Sequence, residues 1–317
     1  MTVLVTGGAG YIGAHVVRAL VAAGRDVAIA DDLSTGIAER IPGGVPLHVV
    51  DVASEAATES LIDIMRNPGS GGQVDAVVHL AARKQVGESV AEPEFYYSQN
   101  VGGLANVLAA MREVGVERLV FSSSAAVYGE PDTSSVTEQS PTVPMSPYGE
   151  TKLVGEWLVR DAGRAWGLQH VSLRYFNVAG SASPELRDTF ELNLIPIALG
   201  RVARGLTVQI YGDDYPTADG TCVRDYVHVV DLADAHVAAL QHVGTGPTVV
   251  NIGTGKGSSV REVLAALGAA RGTELPSEVV ARRAGDPAEY VADVTLAAQQ
   301  WNWHAKHDLA DIAASAV

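Results

Sequence analysis

The chain has 317 residues, 47% of them hydrophobic, and a formal net charge of -15. That length can bury a large core and exceeds what one nucleotide-binding domain needs, while the acidity opposes nonspecific binding to nucleic acid or to acidic membranes. The single cysteine, Cys222, excludes an intrachain disulfide and fits a reducing compartment. The longest apolar stretches are strand-length or amphipathic and the N-terminus enters a strand without a basic segment, so no signal peptide or membrane span is expected, and a cytoplasmic protein is.

Residues 2–6 form a short apolar run with β-branched members, followed by Thr6-Gly7-Gly8-Ala9-Gly10-Tyr11-Ile12-Gly13 and a helical pattern over 11–23. Strand, tight turn and helix in this order suit a pyrophosphate, because the chain must turn sharply and bring bare backbone N–H groups to the phosphates at a helix N-terminus. The next strand, 26–30, ends at Asp31, 18 residues beyond Gly13, where a carboxylate can accept hydrogen bonds from the adenosine ribose. No Arg or Lys lies between Asp31 and Glu39 to receive a ribose 2′-phosphate, so NAD is favoured over NADP.

Further strands are expected at 46–50, 74–80, 118–122 and 170–175, separated by helices at 55–66, 94–114 and 147–165. This alternation predicts an α/β fold, a Rossmann-type doubly wound parallel sheet. Residues 67–72 and the proline-rich stretch 129–147 read as exposed connections. After Asn177 the pattern weakens into helices at 193–204, 230–242 and 258–270 and strands at 208–211, 224–229 and 248–252. The division expected is an NAD-binding domain over 1–176 and a smaller mixed α/β substrate lobe over 177–317, with room for the chain to cross back. No metal-ligand cluster stands out among the nine histidines; His79 and His228 fall in strands and read as structural.

Tyr148 and Lys152 are the candidate chemical groups, although Tyr-x-x-x-Lys taken alone is short and common and reads as decoration of a solvated helix; the rest of the chain reverses that reading. Ser146 and Pro147 read as an N-cap and first helical residue, which puts Tyr148 and Lys152 one turn apart on one face. A free phenol has a pKa of about 10 and is ionised in only about one molecule in a thousand at neutral pH. An ammonium held nearby is expected to favour the phenolate, by about a hundredfold or about 2.7 kcal/mol for a shift of roughly 2 units.

With the glycine turn, Phe121-Ser122-Ser123-Ser124-Ala125-Ala126-Val127-Tyr128-Gly129 and Ser146-Pro147-Tyr148-Gly149-Glu150-Thr151-Lys152, the chain resembles the extended short-chain dehydrogenases. Lys84-Gln85-Val86-Gly87-Glu88-Ser89, Leu173-Arg174-Tyr175-Phe176-Asn177, Tyr211-Gly212-Asp213-Asp214-Tyr215-Pro216-Thr217, Gly220-Thr221-Cys222-Val223-Arg224-Asp225-Tyr226-Val227-His228 and Arg282-Arg283-Ala284-Gly285-Asp286 narrow it to the UDP-glucose 4-epimerase (UDP-galactose 4-epimerase) family. The likeness runs nearly end to end.

The resemblance implies that Gly7, Gly10, Tyr11, Ile12, Gly13 and Asp31 hold the pyrophosphate and adenosine ribose, and that Asp51 and Val52 read the adenine. Leu80, Ala81, Ala82, Lys84, Gln99, Ser122, Lys152 and Tyr175 would line the rest of the dinucleotide. Ser124, Tyr148 and Lys152 would be catalytic, with Lys84, Asn177, Asn193, Leu194, Gln209, Tyr211, Arg224, Arg283, Asp286 and Tyr290 on the nucleotide sugar. Ala126 stands where many members have Thr, Glu150 replaces a frequent Lys and is expected to face solvent, and Ala82 and Gln99 replace a common Gly and Asn. In the family's chemistry Tyr148 would take the proton of the 4-hydroxyl while hydride passes to NAD, and the resulting 4-keto sugar would turn over and be reduced on its other face.

Related 4,6-dehydratases carry an Asp-Glu pair where this chain has Ala125-Ala126, so dehydration is disfavoured. A 4-epimerase acting on a dTDP-hexose or UDP-N-acetylhexosamine and a non-catalytic NAD-binding regulator remain as alternatives. Tyr290 matches a position whose bulk limits the space beside the sugar's 2-substituent, which favours unacetylated hexoses. The resemblance also suggests a homodimer, formed through the helices at 94–114 and 147–165.

Overall fold

The computed structural model describes every residue except Asp132, Ala284 and Gly285; two members of the 282–286 motif therefore lie outside the described residues. The described chain separates into two compact units. The first comprises Met1–Gly129, Thr142–Arg174 and Ala233–Val250, and the second Glu130–Pro141, Tyr175–Leu232 and Asn251–Val317.

The first unit is built on a seven-stranded sheet. Its strands run in the spatial order Val249–Ile252, Gln169–Tyr175, Arg118–Ser122, Val74–His79, Thr2–Thr6, Asp26–Asp31 and Leu47–Val49. The five neighbouring pairs from Gln169–Tyr175 to Leu47–Val49 are parallel, the doubly wound arrangement expected from the alternation of strands and helices. Strand order reverses between Thr2–Thr6 and Val74–His79, the place where ligands of such sheets bind at the carboxyl ends of the strands. Leu4, Val77, Leu104, Met111, Leu119 and Phe121 belong to one buried cluster, which joins the near-continuous apolar strands to helices Ala57–Arg66 and Gly103–Val114.

Local chemistry sets the ends of the helix over this sheet. Ser146 accepts a hydrogen bond from Gly149 N–H at 3.2 Å, Pro147 occupies the first turn, and Gly167 ends helix Pro147–Trp166 in the left-handed region at φ 82°. The expected helix over 94–114 is instead three segments. Pro93–Tyr96 and Gly103–Val114 are α-helical, and Tyr97–Gly102 is a π-turn. One wide turn inserted between regular ones changes the angular position of everything after it, which hydrophobic periodicity cannot register.

In the second unit, strand Val223–His228 is flanked by Gly257–Ser259, Glu289–Ala292 and Asn177–Ala179, and Glu289–Ala292 continues to Ser135–Val136. A separate pair joins Val208–Tyr211 to Ser277–Val280. Helices Leu194–Ala203, Val260–Arg271 and Leu309–Ala316 supply its core with Ile195, Ala198, Val263, Leu267 and Ile312. Sequence patterning found the short strands Leu47–Val49, Val208–Tyr211 and Val249–Ile252 but missed Ser135–Val136, Asn177–Ala179, Gly257–Ser259, Ser277–Val280 and Glu289–Ala292, which are too short to show a period, and helices Val86–Ala91, Thr295–Trp301 and Leu309–Ala316. The connection at 129–147 is not uniformly exposed either: Val136 is fully buried because its strand pairs with Val291 and Ala292.

No described helix is long and apolar enough to cross a membrane, and the described residues contain no cluster of three His, Cys, Asp or Glu able to hold a metal.

Candidate active site

The glycine turn is as tight as its composition requires. Gly7 has φ 72°, and a Cβ there would lie 2.7 Å from Ala81 N. A Cβ on Gly13 would lie 2.0 Å from Gly7 O, so no side chain fits at either position. Helix Tyr11–Ala22 starts from Gly10 without a side-chain cap, which leaves its first N–H groups open to an anion. At the end of the second strand the two Asp31 oxygens accept from Leu33 N–H and Ala9 N–H, both at 2.9 Å. Burial pushes the Asp31 carboxyl upward despite these bonds. The cradle, the open helix end and the carboxylate together fit a dinucleotide.

The neighbouring expected residues fall around this cradle. Leu80 N–H donates to Thr6 O, and Ala81 N–H reaches Thr6 Oγ1. Asp51 Oδ1 accepts from Ala53 N–H at 2.8 Å, and Val52 O accepts from Asn106 Nδ2 at 2.9 Å. His79 is structural: it is hydrogen-bonded to Thr6 Oγ1 at 2.8 Å and stacked on Phe121, and burial lowers its pKa to about 3.

Sequence reasoning missed two groups here. Asn100, in the π-turn, clasps Arg83 by accepting from its N–H at 2.7 Å and donating to its carbonyl at 3.0 Å, and it also donates to Thr151 Oγ1. This fixes the segment that carries Ala82 and Lys84 and lies beside Gln99. Arg83 itself reaches the loop after the second strand, bonding Ser34 Oγ at 2.9 Å and Asp32 Oδ2 at 3.2 Å. A guanidinium is therefore present beside the loop that follows Asp31, although no basic residue occupies 32–38; Asp32 neutralises it. No local signal places a residue 51 positions away.

The Ser/Tyr/Lys set is assembled by one helix lying over the end of strand Arg118–Ser122. Tyr148, Lys152 and Glu156 follow one another at four-residue spacing and all three are buried. Ser124 hydrogen-bonds the Tyr148 phenol, Lys152 Nζ donates to Ser122 O at 2.9 Å, and Ser123 Oγ donates to Glu156 Oε1 at 2.5 Å. Glu156 is gripped by Arg174 through Nε at 2.8 Å and Nη2 at 2.6 Å.

One expectation is corrected. The Lys152 ammonium does not sit on the phenol oxygen; it lies 6.0 Å from the Tyr148 ring centroid and is drawn to the Ser122 carbonyl. Burial raises the Tyr148 phenol above its usual value, opposed by the Ser124 hydrogen bond. Burial also lowers Lys152 to about 8. Desolvation governs both shifts because both groups lie in the low-dielectric interior, where the charged form of each is disfavoured. Glu150 is half-buried, accepting from Tyr97 O–H at 2.9 Å.

In the second unit, adjacent strands bring three of the expected substrate residues together. Arg224 is in register with Tyr290 across one pair of strands, and Tyr226 with Asn177 across the next. The Tyr290 ring, 9% exposed, packs on Phe176 with centroids 5.1 Å apart. Arg224 pairs with Asp286, and Arg283 stacks over Tyr211, whose hydroxyl donates to Gln209 Oε1 at 3.0 Å. Asn193 precedes helix Leu194–Ala203 without using its side chain as a cap, which leaves that amide for another partner. Asp225, buried behind Arg224, accepts from Thr254 N–H and Oγ1, Gly255 N–H and Ala292 N–H. It ties together the strands that carry Arg224 and Tyr290.

Residues 3–253 match the model of the NAD dependent epimerase/dehydratase family. The chain is 46% identical over 316 residues to a UDP-glucose 4-epimerase of Azospirillum brasilense, covering 98% of this chain and 88% of that protein. Among solved structures it is similar to the UDP-glucose 4-epimerase of Brucella ovis in complex with NAD, with a TM-score of 0.93 and 40% identity over 99% of this chain and 97% of that one. The UDP-glucose 4-epimerase of Bifidobacterium longum in complex with NAD+ and UDP superposes with a TM-score of 0.90 at 38% identity, over 100% and 97% of the two chains.

Proposed function

The chain belongs to the NAD dependent epimerase/dehydratase family, and we propose that it interconverts UDP-glucose and UDP-galactose at carbon 4 with NAD held in its glycine cradle. The observation that carries this reading is the buried Tyr148 phenol, hydrogen-bonded to Ser124 and one helical turn from Lys152, in the same compact unit as the cradle.

When bound, NAD supplies a reversible acceptor for the hydrogen on the sugar's carbon 4. The chain supplies the proton chemistry and the grip. Gly7, Gly10, Tyr11, Ile12 and Gly13 take the pyrophosphate, Asp31 the adenosine ribose, Asp51 and Val52 the adenine, and Leu80, Ala81, Ala82, Lys84, Gln99, Ser122 and Tyr175 line the remainder. Tyr148 takes the proton of the 4-hydroxyl and returns it after the ring has turned, while Ser124 holds the reacting oxygen and Lys152 lends positive charge. Asn177, Asn193, Leu194, Gln209, Tyr211, Arg224, Arg283 and Asp286 hold the nucleoside diphosphate, so that binding energy falls on the part of the substrate that does not rotate. On this reading residues 1–176 serve mainly the cofactor and proton transfer, and residues 177–317 mainly the nucleotide sugar.

Ala125 and Ala126 offer no acid for dehydration at the turn beside Ser124. The reading extends to a cytoplasmic homodimer; exposed Phe95, Tyr97 and Trp157 on the segments from Pro93 to Gly102 and on helix Pro147–Trp166 support the pairing, and light scattering tests it. The deciding assay is turnover of UDP-galactose without added NAD, followed by denaturation and measurement of released NAD. Turnover with close to one NAD per chain is expected. Released NAD without turnover on UDP-galactose, UDP-N-acetylgalactosamine or dTDP-galactose would make the protein a cofactor-binding regulator.

A further inference from the structure

We propose that Glu156, locked by Arg174, is a positioning residue that sets the Ser124 hydroxyl against Tyr148 and the Ser122 carbonyl against Lys152. The inference rests on the functional reading above. Three consecutive serines leave strand Arg118–Ser122 at its carboxyl end, and each is tied to a different residue of one stripe on helix Pro147–Trp166. Ser124 is bonded to Tyr148, Ser122 O to Lys152 and Ser123 Oγ to Glu156. Ser122 Oγ is taken separately by His236 Nε2 at 3.1 Å.

Glu156 controls the middle of this run. Ser123 is wholly buried, and its hydroxyl bond to Glu156 is short at 2.5 Å, the length of a charge-assisted bond. Arg174 holds both Glu156 oxygens, so the carboxylate has one orientation. The same guanidinium stacks on Tyr128 at 4.8 Å, the last residue of the 3-10 turn Ala125–Tyr128 that Ser124 caps through Ala126 N–H. The pair therefore grips the chain on both sides of Ser124, through Ser123 before it and Tyr128 after it.

A purely stabilising role explains the arrangement poorly. Buried ion pairs seldom recover the desolvation of two charges relative to apolar residues of similar volume. What a bidentate pair does supply is a fixed direction for the remaining lone pair, and here that lone pair faces the serine run. Geometry of this quality matters for proton transfer, where a misplacement of about 1 Å can cost about 100-fold in rate.

The test compares Ser123→Ala with Glu156→Gln, measuring kcat and KM for UDP-galactose per NAD-loaded, folded molecule together with the melting temperature. Ser123→Ala removes the tether and leaves the ion pair, so kcat should fall about 10-fold with KM within about 2-fold and little change in melting temperature. Glu156→Gln keeps an acceptor for Ser123 but strips Arg174 of its counter-charge, so it should melt lower than Ser123→Ala while retaining more activity. A structural role predicts the opposite pattern, with rate following stability across the two variants. That ranking, or a kcat for Ser123→Ala within about 2-fold of the unmodified protein, overturns the proposal; if Glu156→Gln does not fold, the Ser123→Ala result decides alone. An unmodified protein that turns over none of the UDP-sugars overturns the functional reading itself, and this inference with it.

Discussion

Replacing Lys152 by Met should abolish most turnover without weakening the fold. The ammonium lies 6.0 Å from the Tyr148 ring centroid. With an effective dielectric of about 20, a unit charge at that distance favours a phenolate by about 2.8 kcal/mol, or about 100-fold in its population. Lys152 titrates at about 8, so the charge is present at neutral pH and lost above pH 8. Below pH 8 the phenolate fraction, and kcat/KM with it, should rise about tenfold per pH unit; above 8 loss of the ammonium offsets the growing phenolate fraction and the rate should level off, while Lys152→Met should run about 100-fold slower at pH 7 and keep rising through that range.

The stability sign is separate. A lysine whose folded pKa is about 8 against 10.5 for the free group binds fewer protons folded than unfolded between those values. Stability accordingly rises with pH across that window, and the full penalty, on the order of 3 kcal/mol, is present below pH 8. Met removes the penalty and orphans the Ser122 carbonyl, which costs about 1–3 kcal/mol, so the variant should melt at the same temperature at pH 7 or higher. The assays are a coupled UDP-galactose turnover from pH 6.5 to 9.5 and thermal unfolding at pH 7. A flat profile for the unmodified protein over that range, or a Lys152→Met rate within about 5-fold of it, would refute the charge argument.

Three further outcomes are expected. Tyr148→Phe keeps the buried ring and removes only the hydroxyl bonded to Ser124, so turnover should fall about 100-fold or more with NAD content unchanged; near-normal turnover would remove Tyr148 from the proton path. Gly13→Ala places a Cβ 2.0 Å from Gly7 O, and the purified variant should carry far less NAD, read by denaturation and assay of the supernatant. Tyr290→Cys vacates the ring packed on Phe176 and should gain activity on UDP-N-acetylgalactosamine, against a discrimination of about 5-fold to 150-fold in the unmodified protein; equal efficiency of the unmodified protein on both galactose substrates would show that Tyr290 is not a gate.

Local chemistry made much of the site legible before any fold was known. The Gly7 to Gly13 turn, Asp31 at a strand end, and the Ser146-Pro147 start that puts Tyr148 and Lys152 on one helix face all follow from steric limits and the helical period. Those constraints act within a few residues, so sequence carries them directly. The regular alternation through Tyr175 likewise specified the parallel sheet, because apolar strands buried on both faces leave an unambiguous pattern.

What sequence could not decide was which groups meet across long separations, and what their surroundings do to their charges. Arg83 finds Asp32, Asn100 clasps Arg83, and Arg174 closes on Glu156 only because the sheet brings distant strand ends together. The same folding buries Lys152 and turns its ammonium to the Ser122 carbonyl instead of the phenol oxygen. Register on a helix is a property of the backbone and can be read from spacing; the dielectric around a side chain and the partner it selects are properties of the packed interior, and only the tertiary structure contains them.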